Sequence, residues 1–144
     1  MVTSVVFYSG DLRAESEHLQ SGNKIITDAP IDNEGKGEGF SPTDLVATSL
    51  ANCMLTIMGI VARRHEVNID GTRADVEKIM GTEPRRITEI QIEFYFPGNY
   101  DSKTKTILEK AALNCPVAKS LAESLQQSIG FNYSGKVQKT FSIT

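Results

Sequence analysis

Residues 39–66 read GFSPTDLVATSLANCMLTIMGIVARRHE, and the interpretation of this stretch decides the fold. Ser41, Pro42 and Asp44 form a helix-start signal. Serine suits the N-cap, proline suits the first helical position, and an acid at the third can reach back to the N-cap amide. The apolar run that follows predicts a helix to about Arg64, where Arg63, Arg64 and His65 complement the helix dipole. At 1.5 Å per residue such a helix is ~35 Å long, the full span of a small domain. It is apolar nearly all round, which predicts burial on most faces. One chain of this size has little else with which to cover it, so a partner subunit is expected. Thr48, Ser49, Asn52 and Thr56 interrupt the run, and no membrane partner is expected.

The flanks predict the rest of the fold. Upstream, residues 2–9 and 25–27 are rich in β-branched and aromatic side chains. Residues 12–20 read as a more polar strand between them. Residues 28–40 carry Gly, Asp and Asn without apolar periodicity and read as a loop. Downstream, strands are expected at 67–80 and 86–96. The second alternates Ile90, Ile92, Phe94 and Phe96 with Glu89, Gln91, Glu93 and Tyr95, one face for a core and one for water. Helices are expected at 103–113 and 116–128, then a last strand at 131–143. Strands at both ends flank the helices, which predicts an α+β fold with largely antiparallel sheet. The 144 residues fit a single domain, 1–144.

Composition narrows the chemistry. A net charge of −3 offers no electrostatic footprint for nucleic acid. The N-terminal stretch lacks the charged and apolar regions of a signal peptide, so a cytoplasmic location is expected, where thiols rest reduced. Cys53, Cys115, His18 and His65 are not at metal-ligand spacing. The glycine-rich GKGEG at 35–39 lacks the Lys-Ser/Thr ending of a phosphate loop. Neither a metal nor a cofactor is expected.

The two cysteines remain. Cys53 lies about three turns into the long helix, beyond reach of the N-terminal dipole. Its residues leave two readings open: a small apolar core residue, or a thiol activated by a positive group from elsewhere. Cys115 precedes Pro116, which makes it the expected N-cap of the next helix. Free amides there are expected to lower the pKa of its thiol.

Together, SPTDLVATSLANCM and LNCPVAKSL resemble the two cysteine motifs of the OsmC/Ohr family of thiol peroxidases. The resemblance covers essentially the whole chain. It implies antiparallel sheets around a long central helix, in an intertwined homodimer. It also implies a peroxidase that reduces organic hydroperoxides to alcohols. Cys53 would be the attacking thiolate and Cys115 its disulfide partner, with an external dithiol as reductant. Better-studied members hold the reactive cysteine with a glutamate and an arginine. Thr43 stands at the glutamate position, and Asp44 points to the opposite helix face, where it suits the cap. Arg13 is the nearest arginine, Lys36 in the loop is a second cation, and Glu38 would orient either. The altered position 43 feeds an alternative function: a redox-inert OsmC-like dimer that binds a small apolar ligand in its interface pocket.

Overall fold

In the computed structural model the element order is β1 (Ser4–Gly10), β2 (Arg13–His18), β3 (Lys24–Asp28), α1 (Pro42–Arg64), β4 (Arg73–Gly81), β5 (Arg86–Phe96), α2 (Ser102–Leu113), α3 (Pro116–Ser120), β6 (Gln126–Tyr133) and β7 (Lys136–Ile143). The structure describes residues 1–134 and 136–143, the latter through their backbone alone. Contacts divide the chain into two units, Met1–Val46 and Ala47–Thr144.

The first unit is a three-stranded antiparallel meander, β1–β2–β3. After it, residues 29–40 fold back over a one-turn 3-10 helix at Ile31–Asn33. Gly35 is packed so closely on the Ala29 carbonyl that any Cβ would collide with it. That contact accounts for one glycine of the loop, since a side chain cannot enter where two backbones touch. The unit ends on the start of α1. Asp44 Oδ2 accepts from the Ser41 amide at 3.0 Å, and Ser41 Oγ accepts from the Asp44 amide at 3.1 Å. This is the reciprocal capping box expected from the sequence.

The second unit holds the core. β4–β5–β6–β7 form one sheet, and Ile90, Ile92, Phe94, Phe96, Ile129, Phe131 and Tyr133 are buried in a cluster with Leu50, Met54 and Met58 of α1. Phe94 stacks on Phe131 at 5.6 Å between ring centroids, and Phe96 on Tyr133 at 4.6 Å. β5 alternates as expected, with its four even-numbered apolar residues inside.

Two expectations need correction. The helix expected at 116–128 stops at Ser120, and the strand expected at 131–143 is two strands, 126–133 and 136–143. Gly135, inside that expected strand, lies outside the described residues. The apolar spacing of Leu121, Leu125 and Ile129 imitates a helix, but pairing with β5 claims the segment from Gln126 onward. That pairing is parallel, from Glu89↔Gln126 to Phe96↔Tyr133, while β4–β5 and β6–β7 pair antiparallel, in keeping with the expected largely antiparallel sheet. The crossover between the two strands is α2 and α3, as a parallel connection requires. Within this chain α1 buries a stripe, Ala47, Leu50, Ala51, Met54, Met58 and Ala62. By length and composition alone it is apolar enough to cross a membrane. Its polar side chains bond along the helix itself, Asn52 to the Thr48 carbonyl and Thr56 to the Asn52 carbonyl.

Candidate active site

Cys115 is the N-cap of α3, as its place before Pro116 predicts. Its Sγ accepts from the Ala118 amide at 3.4 Å. The thiol is 0% exposed. The expected acidity does not follow from that position. Burial pushes the Cys115 thiol up, and the amides of Ala118 and Val117 only partly oppose it. Desolvation disfavours the charged form of a thiol, and at a buried cap it outweighs two hydrogen bonds.

Cys53 is a neighbour of the same thiol, and its interaction with Cys115 also raises it. Cys53 is half-buried on α1 and packs against the core cluster, and both cysteines are free thiols. The fold therefore brings together two residues that the sequence keeps far apart. One is shielded and inclined to keep its proton. The other is more open to a reactant.

α3 has five residues, too few to be stable alone, so its position depends on what it touches. Its carbonyls near the C-terminus lack helical partners. Gln127 of β6 supplies one: Nε2 donates to the Ala118 carbonyl at 3.0 Å. Gln127 is 3% exposed, and its Oε1 has no hydrogen-bond partner among the described residues. A buried acceptor left unmatched costs about 1–3 kcal/mol.

In the first unit, Arg13 and Asp28 face each other across β2 and β3. Arg13 Nε donates to Asp28 Oδ1 at 2.7 Å and Nη2 to Oδ2 at 2.8 Å. Nη2 also donates to Glu38 Oε1 at 2.8 Å. The Glu38 amide donates to Asp28 Oδ2 at 3.0 Å. Asp28 is only 1% exposed. Its bond to Arg13 holds the carboxyl below the usual carboxylate range against the opposing effect of burial, and the Glu38 amide helps. The guanidinium pKa rises in turn, chiefly through its bond to Asp28. A forked, two-bond pair of this kind fixes the plane of the guanidinium as well as its charge.

The other expected residues are placed as follows. Glu38 orients Arg13, one of the two roles open to it. Lys36 lies 4.0 Å from Asp11, both well exposed. The Thr43 hydroxyl is 3.2 Å from Ser41 Oγ, within the helix cap. Asp28 and Gln127 were not foreseen. For Asp28 the available signal was hairpin register, which sets it opposite Arg13; for Gln127, the second of a Gln-Gln pair before Ser128, there was none.

Comparison with known proteins places this architecture. The family model for OsmC-like protein matches residues 35–129. A solved structure from Psychrobacter arcticus 273-4, of a protein named for an osmotic stress induced and detoxification response, is 55% identical, with a TM-score of 0.90. The match covers 92% of this chain and 96% of that one. An organic hydroperoxide resistance protein OsmC from Legionella pneumophila is 16% identical over 93% of this chain and 98% of that one, with a TM-score of 0.69. An organic hydroperoxide resistance protein from Elizabethkingia anophelis, with thiocyanate bound, is 14% identical over 93% and 98%, with a TM-score of 0.67. These two share the fold. No curated protein matches the chain. With most of its length matched by the family model and more than half of its residues shared with a relative of the same fold, the chain belongs to the OsmC-like protein family.

Proposed function

We propose that the protein is a cysteine peroxidase that reduces organic hydroperoxides to alcohols. The observation that carries this reading is the thiol pair: a half-buried Cys53 within reach of a buried, proton-retaining Cys115. The Cys53 thiolate attacks a peroxide oxygen, the O–O bond breaks, and the alkoxide leaves as alcohol after taking a proton. Cys53 becomes a sulfenic acid. Cys115 then attacks its sulfur, the S–O bond breaks, water leaves, and a Cys53–Cys115 disulfide remains for an external dithiol to reduce.

Arg13 is the cation we assign, on the family resemblance, to favouring the thiolate at Cys53. Its bonds to Asp28 and Glu38 supply the fixed geometry such a role requires. We read the whole chain, 1–144, as a single cytoplasmic OsmC-like domain acting as an intertwined homodimer. The exposed apolar residues of β1, Val6, Phe7 and Tyr8, support a second copy as cover.

The test is consumption of cumene hydroperoxide beside hydrogen peroxide, with a dithiol present. Faster consumption of the organic substrate is expected, abolished by Cys53→Ser. Cys115→Ser is expected to permit one oxidation and then stall, and Arg13→Ala to slow the oxidation. The second reading, a redox-inert dimer that binds a small apolar ligand, is favoured by Thr43, which stands inside the helix cap where the family resemblance implies a glutamate. A protein that leaves both peroxides untouched establishes that reading over the first.

A further inference from the structure

We propose that Gln127 is the positioning residue for Cys115, fixing α3 so that the Cys115 sulfur is held ready to attack a bond formed at Cys53. The connection is a short series of hydrogen bonds. Gln127 Nε2 donates to the Ala118 carbonyl at 3.0 Å, and the Ala118 amide donates to Cys115 Sγ at 3.4 Å. Both bonds are buried. Ala118 is thus held from both sides, by the sheet and by the thiol.

Three features favour a specific role for this amide. α3 is a single short turn that needs an external anchor, and Gln127 reaches it from β6, which is locked to β5 along eight paired positions. Gln127 shares the buried face of β6 with Ile129, Phe131 and Tyr133, a face whose other members are apolar or aromatic. Its Oε1 makes no hydrogen bond among the described residues, so the side chain gives the fold a donor and gets no return for its acceptor. The donor is what the site uses.

The inference rests on the reading that Cys115 resolves a bond at Cys53, but its test needs no hydroperoxide. The reduced protein is mixed with 5,5′-dithiobis(2-nitrobenzoic acid). The Cys53 thiolate attacks the reagent's S–S bond, forms a mixed disulfide and releases one thionitrobenzoate. Cys115 then attacks Cys53 Sγ, gives up its proton to solvent, forms the internal disulfide and releases a second thionitrobenzoate. Absorbance resolves the two phases, and intact mass identifies the product as the internal disulfide.

In Gln127→Met, which keeps the volume and removes the donor, the first phase is expected to stay within twofold of wild type. The second is expected to slow about fivefold, the factor for one neutral hydrogen bond. Gln127→Asn, which withdraws the amide by one methylene, serves if Gln127→Met fails to fold, with the same expectation. Ile129→Val on the same strand is the control for general loosening and should leave both phases near wild type. A second phase unchanged in the Gln127 variants, or slowed equally in Ile129→Val, overturns the assignment. So does a wild-type protein that stops after one thionitrobenzoate. Two releases from a protein inert to hydroperoxides would sink the peroxidase reading and leave the role of Gln127 standing.

Discussion

The two sheets treat their apolar residues in opposite ways. In β4–β7 the inward residues Ile90, Ile92, Phe94 and Phe131 have no exposed surface. In β1–β3 the aromatic residues lie outside: Phe7 is 63% exposed and Tyr8 69%, although they point to opposite faces of the same strand. One sheet completes a core within the chain. The other carries exposed apolar side chains, and a second copy covering them would contribute energy that depends on concentration. Burial of similar side chains should therefore leave different thermodynamic signatures in the two places.

The largest expected effect is in the sheet that is complete. Phe94→Ala removes a ring stacked on Phe131, and should destabilise the fold by ~3–5 kcal/mol. Urea unfolding at two protein concentrations checks this, and the loss should be the same at both. Phe7→Ala should behave differently. If a second copy covers β1, the substitution weakens association by roughly a hundredfold per copy, equivalent to ~3 kcal/mol each. Sedimentation across a dilution series reads it out. A wild-type protein that stays folded and monomeric at every concentration removes the contrast.

The third prediction concerns acid. The Asp28 carboxyl titrates lower in the folded chain than its ordinary value of 3.8. Its contribution to stability is therefore complete above that value and is lost as pH falls through the lower folded value. Asp28→Asn should flatten the acid limb of the stability curve, measured by thermal unfolding between pH 2 and 6 (~2 to ~6). An unchanged acid limb would mean that the Arg13 pair adds nothing to folding. The smallest effect is at the helix start, where Ser41→Ala should cost ~1 kcal/mol through loss of the cap, seen as a modest drop in melting temperature.

Legibility followed the same division between local and distant causes. The start of α1 was readable to the residue because a capping box is made by neighbours three positions apart. The alternation of β5 was readable because one face is fully buried. The region after Cys115 was misread because its side-chain spacing favours a helix, and only the pairing with β5, distant in sequence, makes it a strand. The site divides likewise. Two cysteines at recognisable motifs could be singled out, and one helix-cap rule placed Cys115 correctly. The same rule misjudged its acidity, because burial is a property of the whole fold. Asp28 reads as the first residue of the 28–40 loop, and only the hairpin register sets it against Arg13.

The parallel pairing of β5 and β6 also orders events during synthesis. β1–β3 is a meander of neighbours, and its hydrogen bonds can close as soon as residue 28 has left the ribosome. β6 has no such freedom. It can join β5 only after α2 and α3 have been made and folded across, and Gln127, the anchor of α3, arrives with it. Cys53 is therefore translated long before the segment that holds Cys115 in place. A nascent chain paused between the two exposes a lone thiol with no partner beside it, so this is the stage of the protein's life at which an oxidant would find Cys53 unprotected.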